Sequence, residues 1–306
     1  MRSTTRSTVI LGGIAAATFA LAGCSASSGG DSSNDSGLPQ IVASTDVYGD
    51  IAAQVAGPLA DVTSVIEGSS QDPHSYEATA QDQLAFSQAD IVIENGGGYD
   101  DFVDTLLDGA DNDDAQLLNA ADISGYDQEP AEGEFNEHMW YDFPTMQKLT
   151  DELVTALSDE DDANADEYRS NADTFISSLQ GLEDTEADLA SRYEGTGVAI
   201  TEPVPLYMLE ASGLVNQTPD EFSEAIEEGT DVSPAVLNET LQLFSAGSVR
   251  VLAYNEQTAG PETEQLRAAA EDAGVAVISV TETLPEGEDY LGWMTANLAA
   301  LSAALA

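Results

Sequence analysis

Two histidines stand among 57 acidic and seven basic residues in a chain of 306. Each sits in a short phrase, Asp72-Pro73-His74-Ser75-Tyr76-Glu77 and His138-Met139-Trp140-Tyr141-Asp142. Neutral imidazole and carboxylate form a donor set for a divalent transition metal: imidazole suits Zn²⁺, and carboxylates also suit Mn²⁺. The two histidines lie 64 residues apart, which excludes a local finger or loop motif. A site using both must be assembled by the fold. The single cysteine, Cys24, excludes an intrachain disulfide and a cysteine-ligated zinc site. The run Asn95-Gly96-Gly97-Gly98 reads as a turn and not a phosphate cradle, because no Gly-Lys-Ser/Thr follows it.

Arg2 and Arg6 precede an apolar run from Val9 to Leu21, too short for a comfortable membrane span. Leu21-Ala22-Gly23-Cys24 then reads as a bacterial lipobox, with residues 1–23 as signal peptide and the Cys24 thiol as the site of lipidation. Residues 24–38, rich in Ser, Gly, Asp and Asn, read as a flexible tether. The processed chain keeps five basic residues, Lys148, Arg169, Arg192, Arg250 and Arg267, and a charge of −52. That balance excludes nucleic acid as a partner and disfavours anionic solutes. Acidity spread over the whole chain also serves solubility, and does not by itself locate a cation site.

The elements that must position the two histidines form two similar blocks. Short apolar runs at 40–44, 62–67, 90–94 and 116–119, and again at 198–201, 214–217, 249–254 and 275–280, predict buried strands. Helical stretches at 48–56 and 79–88 lie between strands of the first block. Stretches at 219–228, 234–245, 261–273 and 290–305 separate or follow those of the second. Alternating strands and helices imply parallel sheets with helices on both faces. Tyr168, Ala172, Phe175, Ile176, Leu179, Leu182, Leu189 and Tyr193 line one face of a single helix over 163–193, ended by Gly195 and Gly197. The expected fold is therefore α/β: two lobes, each a small mainly parallel sheet with flanking helices, joined by one long rigid helix. The expected boundaries are an N-terminal lobe at 39–162, the connecting helix at 163–194 and a C-terminal lobe at 195–306.

The chain resembles the zinc/manganese solute-binding lipoproteins of bacterial ABC importers. The resemblance rests on Asp72-Pro73-His74-x-Tyr76-Glu77-x-Thr79, on Asn95-Gly96-Gly97-Gly98 followed by Phe102, on His138-x-Trp140-x-Asp142, and on the long mid-chain helix. It implies one metal between two lobes, with two ligands from each. Carried over residue by residue, His74 and His138 are the first two ligands. Glu202, after the first strand of the second block, is the third. Glu282, after its last strand, is the fourth, where the family more often has Asp; Glu286 and Glu288 are nearby substitutes. Glu202 and Glu282 also fit the rule that open α/β sheets bind ligands beyond the carboxyl ends of their strands. Asp142 either orients an imidazole or caps a helix before Pro144, and Trp140, Tyr76 and Tyr207 read as packing residues.

The implied protein is not an enzyme. It captures one divalent metal as transported ligand, Mn²⁺ slightly favoured over Zn²⁺, and delivers it to an ABC permease and its ATPase. It would be a monomer, held by its N-terminal lipid on the extracytoplasmic face of the cell membrane. Three rival readings are a secreted metal-dependent hydrolase, a receptor for an organic solute or metal chelate, and a metal-binding adhesin. The hydrolase would need an open metal position and a general base, and four protein ligands would close the site.

Overall fold

The computed structural model describes residues 37–68, 73, 76–131 and 133–306. The expectations for Cys24 and His74 lie outside the described residues.

Runs of Val, Ile, Leu and Ala form two four-stranded sheets. The first contains β1 (Gln40–Thr45), β2 (Asp61–Ile66), β3 (Ile91–Glu94) and β4 (Gln116–Asn119), in the order β2-β1-β3-β4. The second contains β5 (Gly197–Ile200), β6 (Val215–Asn216), β7 (Val251–Asn255) and β8 (Ala276–Val280), in the order β6-β5-β7-β8. Every pairing is parallel. Both sheets therefore share one topology, and in each the strand order reverses beside the first strand. The central strands β3 and β7 are buried along their whole length, as a sheet covered on both faces requires. β6 has only two residues, shorter than the expected 214–217.

Helices α1 (Asp46–Ala56), α2 (Ala80–Phe86), α3 (Phe102–Ala110) and α4 (Ala120–Ser124) follow the strands of the first sheet. Helix α5 (Phe143–Glu160), which periodicity did not single out, then leads to α6 (Ala165–Tyr193). Helices α7 (Leu206–Ala211), α8 (Asp220–Glu227), α9 (Pro234–Ala246), α10 (Pro261–Ala273) and α11 (Tyr290–Leu305) belong to the second lobe. With 29 residues, α6 is about 44 Å long at 1.5 Å per residue. Its predicted face is buried at Tyr168, Ala172, Phe175, Leu179, Leu182 and Leu189. Glu186, which falls on the same face between Leu182 and Leu189, is buried too.

The helix stops at Tyr193, as expected, and Gly195 turns the chain with φ +77°. Gly197 does not end the helix; it opens β5, where a Cβ would come within 2.2 Å of the Ser248 carbonyl oxygen.

One apolar cluster runs through both lobes. It joins Tyr48 and Ile51 of α1, Leu149 and Leu153 of α5, Phe175 and Leu179 of α6, Ile200 of β5, and Tyr290 and Trp293 of α11. The outer face of each sheet has its own smaller cluster, around Phe86 and Val103 in the first lobe and Phe222 and Leu266 in the second. Since α6 lies within the shared core, moving one lobe against the other would expose apolar surface at about 25 cal/mol per Å². The strut is held as well as long.

Candidate metal centre

His138 lies between α4 and α5, at the start of a 3-10 turn over Met139–Tyr141. Its ring is fully buried, with Trp140 and Tyr99 set edge-on at centroid distances of 5.1 and 6.0 Å. Its orientation follows from Asn136. The backbone N–H of His138 donates to Asn136 Oδ1 at 3.2 Å, so that side-chain atom is an acceptor. The same oxygen lies 2.7 Å from Nδ1 of the ring. Nδ1 must then carry the proton, and Nε2 keeps the lone pair that a metal would use.

The segment around His138 is pinned from both lobes. Asn95, just past β3, donates from Nδ2 to the Glu137 carbonyl at 2.8 Å. The adjoining Gly96, Gly97 and Gly98 all have positive φ, and a Cβ on Gly97 would come within 2.4 Å of the Phe135 ring. From the second lobe, Tyr207 donates to the Asn136 carbonyl at 2.7 Å, and Asn136 Nδ2 donates to the Pro203 carbonyl at 3.3 Å. Tyr141 donates to the Thr281 carbonyl at 3.0 Å, and Tyr290 to the Trp140 carbonyl at 2.6 Å.

Glu202 and Glu282 lie two residues beyond the ends of β5 and β8, both nearly fully buried. The strand order puts β7 between them, and its last residue, Asn255, bridges them. Asn255 Nδ2 donates to Glu202 Oε2 at 2.5 Å and to Glu282 Oε1 at 2.8 Å. Thr258 donates to Glu202 at 2.5 Å, and Tyr99 of the first lobe to Glu282 Oε2 at 3.4 Å. Glu286 and Glu288, the sequence alternatives to Glu282, are exposed. Asp142 takes the second of its two readings: its carboxylate accepts from Thr145 N at 3.1 Å and caps α5. The imidazole is oriented by Asn136 instead. Tyr76 packs on Phe102, Tyr207 stacks on Tyr126, and Trp140 is buried in the core.

Two acids that sequence did not single out adjoin His138. Among the described residues, donor atoms of Glu137, His138 and Glu227 lie within 4.8 Å of one another. Burial, and then the charges of Glu137, Glu202 and Glu282, push the Glu227 carboxyl up to about 9. Burial, then Glu134, pushes Glu137 up to about 7. Several buried carboxylates sharing one low-dielectric pocket repel each other, and a divalent cation reverses that penalty. In a chain with 57 acids, neither position carries a sequence signal that separates it from the rest.

Two parallel sheets joined by one helix, with imidazole and carboxylates gathered where the lobes meet, define a two-lobed solute-binding architecture suited to a cation. Residues 41–304 match the ZnuA family, described as zinc-uptake complex component A, periplasmic, and the chain belongs to that family. The family is one of solute-binding components of importers, not of enzymes. The manganese-binding lipoprotein MntA of Halalkalibacterium halodurans is 29% identical over 194 residues, 63% of this chain and 63% of that protein. MntA of Bacillus subtilis is 31% identical over 169 residues, 55% of this chain and 54% of that protein. The chain thus spans less than two thirds of the length of these two relatives. The laminin-binding adhesin Lmb from Streptococcus agalactiae has a similar fold, with TM-score 0.74 at 20% identity over 88% of this chain and all of that one.

Proposed function

We propose that this chain is the extracytoplasmic receptor of an ABC importer, capturing one divalent transition metal and delivering it to a permease driven by its ATPase. The cargo is held by His74, His138, Glu202 and Glu282, the first pair from the lobe at 39–162 and the second from the lobe at 195–306, across the helix at 163–194. Cys24 carries the lipid that anchors the protein to the outer face of the cell membrane, and the protein acts as a monomer. The observation that carries this reading is the Asn136–His138 contact, which aims an imidazole lone pair from a buried ring in the pocket that also gathers acids of the second lobe. Two carboxylates and two imidazoles nearly neutralise the cargo. The carboxylates suit Mn²⁺, and the two relatives above are named for manganese; both support Mn²⁺ as the favoured cargo.

Calorimetric titration of the metal-free protein tests this. One tight equivalent of Mn²⁺ or Zn²⁺ is expected, abolished by His138→Ala and strongly weakened by Glu202→Gln. No tight equivalent, or two, would sink the assignment. Weak extra binding to the acidic surface should fade with salt, because screening acts over about 8 Å at physiological ionic strength.

A further inference from the structure

We propose that Glu227 is a further ligand of the cation, supplied by α8, and that it biases the site toward Mn²⁺ over Zn²⁺. This inference rests on the binding site described above.

The geometry is that of two donors to one ion. Glu227 Oε1 lies 3.5 Å from His138 Nε2. Metal–donor bonds of about 2.1 Å at a tetrahedral angle put neighbouring donors about 3.4 Å apart, and at a right angle about 3.0 Å. Nε2 is the atom that the Asn136 contact leaves with its lone pair, so Glu227 faces the ligating side of the ring. The Oε1 atom is shut off from solvent and receives no hydrogen bond among the described residues. Glu202 Oε2 and both oxygens of Glu282 differ in this respect: each accepts from Asn255, Thr258 or Tyr99. A buried carboxylate oxygen aimed at a ligand nitrogen, with no donor of its own, calls for a cation between them.

The placement on α8 is local in origin. Phe222 and Ser223 form the buried side of this helix. Glu227 comes four residues after Ser223, so it falls on the same face one turn later. Phe222 anchors that face in the outer cluster of the second lobe. The adjacent Glu228 points outward and is exposed. A carboxylate added to the four ligands proposed above takes the coordination number past the tetrahedral count that suits Zn²⁺ and adds a hard oxygen donor, which suits Mn²⁺.

The test uses metal-free protein titrated with Mn²⁺ alone, with Zn²⁺ alone, and with both in competition. Glu227→Ala should lose Mn²⁺ affinity at least tenfold while Zn²⁺ affinity changes less than threefold. Glu228→Gln should match the parent for both metals. X-ray absorption of the Mn²⁺-loaded protein should count one fewer light-atom ligand in Glu227→Ala. Unchanged affinity for both metals, or equal loss of both, would overturn the proposal. The melting temperature of the metal-free variant checks that the fold survives. His138→Ala keeps the two claims apart. If that variant still binds tightly, the site itself is misassigned. If it fails while Glu227→Ala binds like the parent, only the role of Glu227 falls.

Discussion

The carboxylate of Asp46, the first residue of α1, accepts the backbone N–H of Leu284 at 3.1 Å through Oδ1. Its other oxygen accepts the N–H of Gly68 at 2.7 Å. One side chain of the first lobe thus holds two loops: the one carrying Glu282, and the start of the one that contains His74 in sequence. Asp50, one helical turn on, accepts the N–H of Tyr290 at 2.9 Å at the start of α11. Two carboxylates of the first lobe thus hold backbone N–H groups of the second, one of them two residues from Glu282.

Asp46→Ala should therefore act on stability and on binding together. Losing a charged acceptor for two backbone donors costs on the order of 1–3 kcal/mol. Urea denaturation of the metal-free protein should show that loss, and calorimetry should show weaker metal binding. Asp50→Ala should lower stability similarly with less effect on binding, since its contact lies further from Glu282. Equal effects of the two variants on affinity would argue against Asp46 as the fastener of the site loops.

Asn136 makes a separate prediction. Removing the partner that fixes the tautomer of a metal-bound imidazole lowers affinity by roughly 10–100-fold. Asn136→Ala should do so with an unchanged circular dichroism spectrum. Asn136→Asp keeps an acceptor for Nδ1–H and should retain most of the affinity. Nitrogen-15 spectra of the metal-free parent should show His138 protonated at Nδ1 near neutral pH. A ring protonated at Nε2 would contradict the orientation argued here.

The buried carboxyl of Glu186 gives a pH prediction away from the metal centre. Burial, then Glu183 and Asp142, push it up from the ordinary carboxylate value of 4.5 to about 8. Between those values the folded chain keeps a proton that the unfolded chain has lost. Stability should fall as pH rises through that window, by up to about 1.4 kcal/mol per unit, and level off above it. Glu186→Gln imitates the protonated form and should flatten the decline. Denaturant titrations of parent and variant, metal-free and at fixed salt, measure the difference between pH 5.5 and 8. Parallel pH slopes would show that Glu186 ionises normally.

The sequence by itself determined the architecture. Eight short apolar runs became eight parallel strands, and the face from Tyr168 to Leu189 became the buried side of α6, because burial in sheets and helices imposes a local period that neighbouring residues share. His74 and His138 stood out because the chain has only two histidines, and Glu202 and Glu282 through the family resemblance, with each following a strand end. The tertiary structure alone decided what lies around them. Asn136 is two residues from His138, yet nothing in its local pattern separates an orienting amide from an ordinary loop amide. Asn255 bridges two glutamates 53 and 27 residues away only because β7 lies between β5 and β8. Glu186 and Glu227 are two acids among 57, and although helix spacing sets Glu186 on the face of Leu182 and Leu189, an acid in that row does not by itself show whether its carboxyl is covered. Whether a carboxylate faces water or a buried pocket depends on what packs against its helix, and those contacts come from chain segments far away in sequence.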